Sequence, residues 1–520
     1  MKKIIAAVLA ACIVGGTAPS LYQYASDIAI TANAADYTEV TEGSLTFKVY
    51  TTYAELSYCD GTEANVEIPS EVNGVPVISI GEGAFYDMYA KRCAAVESIT
   101  IPDTVVNIGE KAFRYLTSLT SIEVPDSVTT LGKYTFLGCS SLTSAKLPDK
   151  ITSVPEGTFA NCVNLADVNI PKSAETIGAY AFADTALTSL TIPGNIKSIV
   201  SNSHAGNGNS LTGSFESCKK LETVVIEEGV VDIGYNTFDD CSALVSVTIP
   251  STAVFEAGGS IFNGGPFNNC TSLKNVTIAE GAKIEKEAYL FQTCEALEEI
   301  VLPESFGMIS NGMFLGCKSL KSVTIPDSYT YIGESAFSGC TALEEVNIPE
   351  KVTSISEYAF SDCTSLTEIV LPKSVATVEY RAFRNCAKLE KITFYNSNCN
   401  IDLRYTDTIC SYVLNDVPYF NGTIVGYSGS TAQAFAENYG YKFEALPETI
   451  LGDVDGNDVV DGRDASMVLT HYALTSTSQT GVITDAQALL NADWDQNEIV
   501  DGRDASAILT YYAEQSVSKE

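Results

Sequence analysis

Histidine is nearly missing from this chain: 520 residues carry two, His204 and His471. That scarcity removes much enzyme chemistry, because a serine or cysteine nucleophile is ordinarily activated by an adjacent imidazole. No G-x-S-x-G elbow, H-E-x-x-H pair or phosphate-cradling glycine loop is present either. Basic residues are scarce as well. Thirty Lys and Arg against 65 Asp and Glu give a formal net charge of −35. Nucleic-acid binding depends on Lys and Arg neutralising phosphates, so no nucleic-acid partner is expected. An acidic surface of this kind suits a soluble extracellular protein. No stretch beyond the N-terminus holds eighteen consecutive apolar residues, so no transmembrane segment is expected. We read the chain as not an enzyme.

Residues 1–34 open Met1-Lys2-Lys3, continue with the apolar run Ile4–Val14 and reach Ala32-Asn33-Ala34. A basic start, a short apolar core and an Ala-x-Ala exit make a secretory signal peptide, cleaved after Ala34. Leu9-Ala10-Ala11-Cys12 also fits a lipid-attachment site, but the apolar run continues past Cys12 through Ile13 and Val14. The expected location is outside the cell.

The middle of the chain repeats. Leu320, Val323, Ile325-Pro326, Ile332-Gly333, Ala336-Phe337 and Cys340 return 23 residues later as Leu343, Val346, Ile348-Pro349, Ile355, Ala359-Phe360 and Cys363. Anchored on the phenylalanine there are thirteen copies, at Phe85, Phe113, Phe136, Phe159, Phe182, Phe215, Phe238, Phe267, Phe291, Phe314, Phe337, Phe360 and Phe383. The L-x-x-V-x-I-P segment reads as a short strand closed by a proline that cannot donate to a ladder. The A-F-x-x-C segment reads as a helical or 3-10 turn. One copy has too little apolar surface to fold alone, and stacking buries its Leu, Ile and Phe rows against the neighbours.

This pattern resembles the BspA-like (Treponema-type) leucine-rich repeats, over about residues 60–395. The resemblance implies a parallel-strand solenoid of about thirteen repeats on a surface or secreted bacterial protein, and binding of a protein or surface rather than chemistry.

Ten of the fifteen cysteines (139, 162, 218, 241, 270, 294, 317, 340, 363 and 386) share one repeat slot, where Leu116 and Thr185 also stand. A slot that accepts Leu, Thr and Cys is small and buried, so free thiols packed as hydrophobes are expected. Metal binding by these cysteines is disfavoured, because tight C-x-x-C spacing is absent and no histidine lies nearby. In the end regions, whether Cys59 bridges Cys93, or Cys399 bridges Cys410, is left open.

Both solenoid ends need covers. Residues 35–80 read as an N-terminal β cap, 81–395 as the solenoid, 396–446 as a strand-then-helix C-terminal cap, and 447–452 as a linker. Outward strand positions such as Thr100, Thr191, Thr248 and Thr324 form a small, polar stripe without aromatics, and the one tryptophan is Trp494. A solvated face is expected there. Insertions at 86–95, 201–211 and 253–266 are the alternative contact loops.

Residues 453–520 differ in kind. Asp453, Asp455, Asn457, Asp461 and Asp464 place oxygen side chains at positions 1, 3, 5, 9 and 12 of a twelve-residue loop. Val459 would add its backbone carbonyl. Calcium takes about six to eight oxygens, which this spacing supplies from one turn. The pattern recurs as Asp493, Asp495, Asn497, Asp501 and Asp504, with the Ile499 carbonyl. Two Ca²⁺ ions are therefore expected, each loop running into a near-identical apolar helix that starts at Ala465 or Ala505. Position 12 is Asp rather than Glu, and position 6 is Asp458 or Glu498 rather than Gly.

That combination resembles a type I dockerin over about residues 449–515, a small all-α module with two EF-hand-like calcium loops. The resemblance implies calcium-dependent docking onto a cohesin module of a scaffoldin. It assigns the cohesin-facing positions to Gly462, Arg463, Ser466 and Thr470, and to Gly502, Arg503, Ser506 and Thr510. The function expected is a secreted, non-catalytic cellulosome-type subunit in a polysaccharide-degrading complex, whose repeats bind a protein or surface. A cell-surface adhesin or glycan-binding protein is the alternative, and an accessory polysaccharide hydrolase a more distant one.

Overall fold

A computed structural model describes residues 37–86, 92–201, 213–256, 264–402, 407–414, 417–446, 451–455, 460–477, 480–483, 486–497 and 499–517. The leader reading (1–34, with Cys12), His204, the middle of each insertion, most of the 447–452 linker, Asp458 and Glu498 lie outside these residues. So do two expected calcium ligands, Asn457 and Val459.

Each repeat contributes two strands. The first is the V-x-I-P segment. Ser121–Glu123, Ser144–Lys146 and Asp167–Val168 pair in parallel, as do Ser189–Ile192, Thr223–Ile226, Ser246–Ile249 and Asn275–Ile278. Alternation buries Val224 and Ile226 and leaves Thr223 and Val225 outside, as a half-buried strand requires. Where Asn169 or Asn347 stands in this strand, its side-chain amide bonds both the N–H and the C=O of the residue one repeat back, Leu147 or Ile325, at 2.7–2.9 Å. A side chain there replaces a peptide group in the ladder.

The second strand is the x-Ile-Gly segment, too short for its strand character to show in the sequence pattern. Ser153–Val154, Thr176–Ile177, Ser198–Ile199, Asp232–Ile233, Val254–Phe255 and Lys283–Ile284 form one parallel sheet. The glycine after it permits close backbone approach: a Cβ on Gly132 would lie 2.3 Å from the Glu110 nitrogen of the preceding repeat. Near the N-terminus, Thr38–Glu42, Leu45–Val49 and Ala54–Cys59 are antiparallel. Ala54–Cys59 then pairs in parallel with Val75–Ile80, which continues into Asn107–Ile108.

The A-F-x-x-C segment is not helical, which corrects the expected helical or 3-10 turns. It is a pair of hydrogen-bonded turns with a left-handed residue two after the phenylalanine and, in most repeats, another two before it, for example Lys111 (φ 58°) and Tyr115 (φ 61°) around Phe113. Left-handed residues break helical propagation and free each phenylalanine N–H to reach the next repeat. All thirteen do so, at 2.8–3.2 Å; Phe136 donates to Thr158 and Phe360 to Ala382. Among the described residues the one 3-10 helix is Glu304–Phe306, in a different part of its repeat.

Inside, the thirteen phenylalanines are all buried. Their rings follow one another at centroid distances of 5.1–6.0 Å. Burying a phenylalanine contributes about 1.5–3 kcal/mol, and each ring pair about 0.5–1.5 more. At the C-terminal end, Thr423–Gly426 and Lys442–Ala445 extend the first-column sheet beyond Lys391–Phe394, with helix α1 (Thr431–Tyr439) between them.

Residues 451–517 form a second, separate apolar cluster around Val454, Ala465, Val468, Ile483, Ala492, Ala505 and Ile508. Three helices carry it: α2 (Gly462–Thr475), α3 (Ala486–Ala492) and α4 (Gly502–Val517).

Candidate functional site

The two acidic loops converge their carboxylates. Oxygen atoms of Asp453, Asp455 and Asp464 lie within 4.8 Å of one another, and those of Asp493, Asp495 and Asp504 do the same. Asp453, Asp464, Asp493 and Asp504 are buried. The last aspartate of each loop organises it. Asp464 accepts from the Val454 and Asp455 N–H groups through Oδ1 (2.7 and 3.1 Å) and from Asp461 N–H through Oδ2 (2.7 Å). Asp504 does likewise for Trp494, Asp495 and Asp501, at 2.8, 3.3 and 2.7 Å. A short aspartate at this position is therefore held from the helix side and points back into the loop. Three carboxylates gathered with two of them buried are costly unless a cation or hydrogen bonds offset the charge. An all-oxygen set of this kind fits a hard dication such as Ca²⁺.

Asp461 and Asp501 stand elsewhere in the arrangement. Asp461 caps α2 by accepting from Arg463 N–H at 2.7 Å, and its carboxylate also takes the Arg463 guanidinium at 2.8–3.2 Å. Asp501 and Arg503 repeat this, from 2.6 to 3.3 Å. The arginine hydrogen bonds hold both carboxyls below the usual aspartate range. In the second loop Asn497 accepts the Ile499 N–H at 2.9 Å. The left-handed residue there is Gln496, at loop position 4 (φ 55°).

The helices present two matching faces. Residues 461–470 and 501–510 have the same burial at every position. Arg463, Ser466, Leu469 and Thr470 are exposed, as are Arg503, Ser506, Leu509 and Thr510, with Gly462 and Gly502 half-buried. Ser466 and Thr470 hydroxyls donate back to Gly462 and Ser466 carbonyls, both at 2.7 Å, and Ser506 and Thr510 copy this at 2.9 and 2.8 Å. That bonding fixes the hydroxyl direction and leaves oxygen lone pairs outward. Exposed Tyr472 and Tyr512 lie one turn further along each helix.

The repeats carry an aromatic surface away from the strand stripe. On the turn side, Arg92 stacks over Tyr58 at 3.9 Å, and Arg114 lies 4.9 Å from the Tyr86 ring and 4.7 Å from Tyr115. Tyr86 and Tyr115 are 5.9 Å apart. The signal was present as tyrosines flanking the phenylalanine, but a period count does not say which side of the coil they occupy.

With this geometry in view, comparison with known proteins gives the class. Residues 78–210, 211–289 and 283–405 match the family described as BspA type Leucine rich repeat region (6 copies). This chain belongs to that family. Leucine-rich-repeat proteins bind proteins or surfaces, and those of this family are typically at the cell surface or outside the cell. No curated protein matches. Among solved structures, the chain is similar to a leucine rich cell surface protein from Faecalibacterium prausnitzii, with 23% identity, 79% of this chain and 100% of that one covered, and TM-score 0.39. It is also similar to a leucine-rich repeat protein from Bacteroides ovatus, at 20% identity, 78% and 100% coverage and TM-score 0.40. The pneumococcal vaccine antigen PcpA is similar at 16% identity, 79% and 99% coverage and TM-score 0.36. Among the described residues, no helix is long and apolar enough to cross a membrane.

Proposed function

We propose that the chain is a secreted, non-catalytic subunit of a cellulosome-type complex. Residues 453–520 act as a dockerin that binds a scaffoldin cohesin, and the leucine-rich repeats hold a protein or surface partner. The observation that carries this is the duplication: two carboxylate triads, each feeding a helix with the same exposed Arg, Ser, Leu and Thr. Asp453, Asp455, Asn457 and Asp464 would hold one Ca²⁺ with the Val459 carbonyl, and Asp461, engaged by Arg463, would reach it through a water. Asp493, Asp495, Asn497 and Asp504 would hold the other with the Ile499 carbonyl, and Asp501 would stand as Asp461 does. Bound there, calcium would supply the positive charge that offsets the gathered carboxylates. Gly462, Arg463, Ser466 and Thr470, or their counterparts Gly502, Arg503, Ser506 and Thr510, would then meet the cohesin. Two equivalent faces permit docking in either of two orientations.

The test is calorimetric titration of the full chain with type I cohesins, in Ca²⁺ and in EDTA. Tight binding in Ca²⁺ that disappears in EDTA supports the reading. No binding to any cohesin would leave the duplicated loops as a calcium-stabilised cap.

An adhesin reading has one observation in its favour, the exposed Tyr58 and Tyr115 with Arg92 and Arg114 on the turn side. Retention on insoluble polysaccharide or on host protein, lost in Tyr58→Ala/Tyr115→Ala, would support it.

A further inference from the structure

The sulfur column of the solenoid begins in the first repeat, two before Cys139, with Leu116 in the slot between. Cys93 follows the first insertion, and its thiol donates to the carbonyl of Cys59 at 3.4 Å. Cys139 and Cys162 meet the carbonyls of Phe113 and Phe136 in the same way, at 3.2 Å. Cys93 thus takes the thiol slot of the first repeat. Cys59 takes the place in front of Phe85 in the aromatic column: its N–H donates to Ala84 at 2.8 Å, as Phe85 N–H donates to Ala112 at 2.9 Å. In the following repeats a thiol lies against a phenylalanine. At this end a thiol lies against a thiol.

Other contacts press the two residues together. The backbones touch: a Cβ on Gly61 would sit 2.2 Å from the Arg92 carbonyl oxygen and 2.9 Å from the Cys93 Cα. Arg92 is clamped over the Tyr58 ring at 3.9 Å and donates to the Tyr86 carbonyl at 3.3 Å. The neighbouring Cys93 thiol, with burial, raises the Cys59 thiol, while Cys59, helped by the Arg92 guanidinium, holds the Cys93 thiol down. Further along the column Cys218 and Cys241 split each other in the same sense, but both spend their S–H on phenylalanine carbonyls. Cys270, Cys294, Cys340, Cys363 and Cys386 are pushed well up by burial and spend their S–H on phenylalanine carbonyls.

We propose that Cys59 and Cys93 form a disulfide as the protein folds outside the cell, joining the N-terminal strands to the first repeat, while the sulfur column behind them stays reduced. The oxidant is a disulfide donor, either a thiol–disulfide oxidoreductase or a small-molecule disulfide. The Cys93 thiolate attacks one donor sulfur and releases the first donor thiol. Cys59 loses its proton and attacks the Cys93 sulfur, releasing the second. Two protein thiols thereby give up two protons and two electrons, and the donor disulfide becomes two thiols. Closure happens before the cap covers both sulfurs, since each is buried in the folded chain.

The experiment uses the chain from residue 35, folded once with oxidised and reduced glutathione and once with dithiothreitol. Each sample is denatured, alkylated without reduction, digested with trypsin and read by mass spectrometry. Cleavage after Lys91 and Arg92 separates the two cysteines. The expected result is one linked pair, Cys59 with Cys93, in the glutathione sample only, with every other cysteine alkylated. Cys59→Ser should then leave Cys93 alkylated with no new link. Alkylation of both cysteines in folded, glutathione-treated protein would overturn the proposal. So would a dominant link elsewhere, such as Cys139 with Cys162.

Discussion

The thiol of Cys340 donates to the carbonyl oxygen of Phe314, 3.1 Å away and one repeat earlier. The same carbonyl already accepts the N–H of Cys317, at 3.0 Å. Each such oxygen thus uses both lone pairs, one within its repeat and one between repeats. Ten thiols of the column donate to a phenylalanine carbonyl one repeat back, from 3.1 to 3.3 Å. It gives the cysteine slot a polar purpose beyond filling space.

Replacing Cys340 by Ala should therefore cost more than the lost volume alone. We expect about 1–3 kcal/mol of destabilisation, and about 3–5 kcal/mol for Phe337→Ala in the adjacent aromatic column. Urea unfolding of the full chain measures both. In the native protein, the column thiols from Cys139 to Cys386 should not react with a thiol reagent until denaturant is added.

Gly157 is left-handed (φ 62°), and a Cβ there would lie 2.3 Å from the Tyr134 ring of the preceding repeat. Gly157→Ala should cost about 2 kcal/mol or more, from strain and from displacing the ring. Adding Tyr134→Ala should relieve the clash but not the left-handed backbone, so the double mutant should fall short of additivity. Thermal unfolding of the four proteins reads this directly.

Burial, and then the neighbouring Glu216 charge, push the Asp239 carboxyl up from 3.8 to about 7, although Asn268 and Asn269 donate to it at 2.9 and 3.3 Å. The folded state favours the proton, so this stabilisation is complete below 3.8 and is lost as pH rises through about 7. Asp239→Asn should flatten that loss and raise stability near pH 8 by about 1–2 kcal/mol. Hydrogen exchange around Phe238, compared between mildly acidic and alkaline pH, is the measurement.

Asp464→Ala should unfold the region around α2 and α4 with or without calcium, because its carboxylate holds three backbone N–H groups. Asp455→Ala should spare the metal-free fold and remove one calcium-dependent increment of melting temperature. Helicity and melting in Ca²⁺ and in EDTA separate the two.

Arg463→Ala and Arg503→Ala should each leave cohesin affinity within about threefold, because the other face remains available. The double variant should lose about tenfold or more, corresponding to at least about 1.4 kcal/mol. Equal losses in one single variant and in the double would restrict docking to one face.

The sequence by itself determined the number of repeats, the buried Phe, Leu and Cys rows, the duplication at the C-terminus and the family. These follow from side-chain periodicity, which is one-dimensional and survives in the linear order of residues. Tertiary structure alone decided the second strand at Ile-Gly, the left-handed turns around each phenylalanine and the thiol-to-carbonyl pairing. It also placed Cys410 beyond Cys386, whose N–H donates to the Cys410 carbonyl at 3.0 Å, and Cys59 against Cys93. Those depend on the rise and register between coils, which determine the atom each residue meets one repeat away. For the same reason, the spacing of Asp453, Asp455 and Asp464 could name an oxygen set, but only the fold could show that Asp464 is buried and tied to three backbone N–H groups.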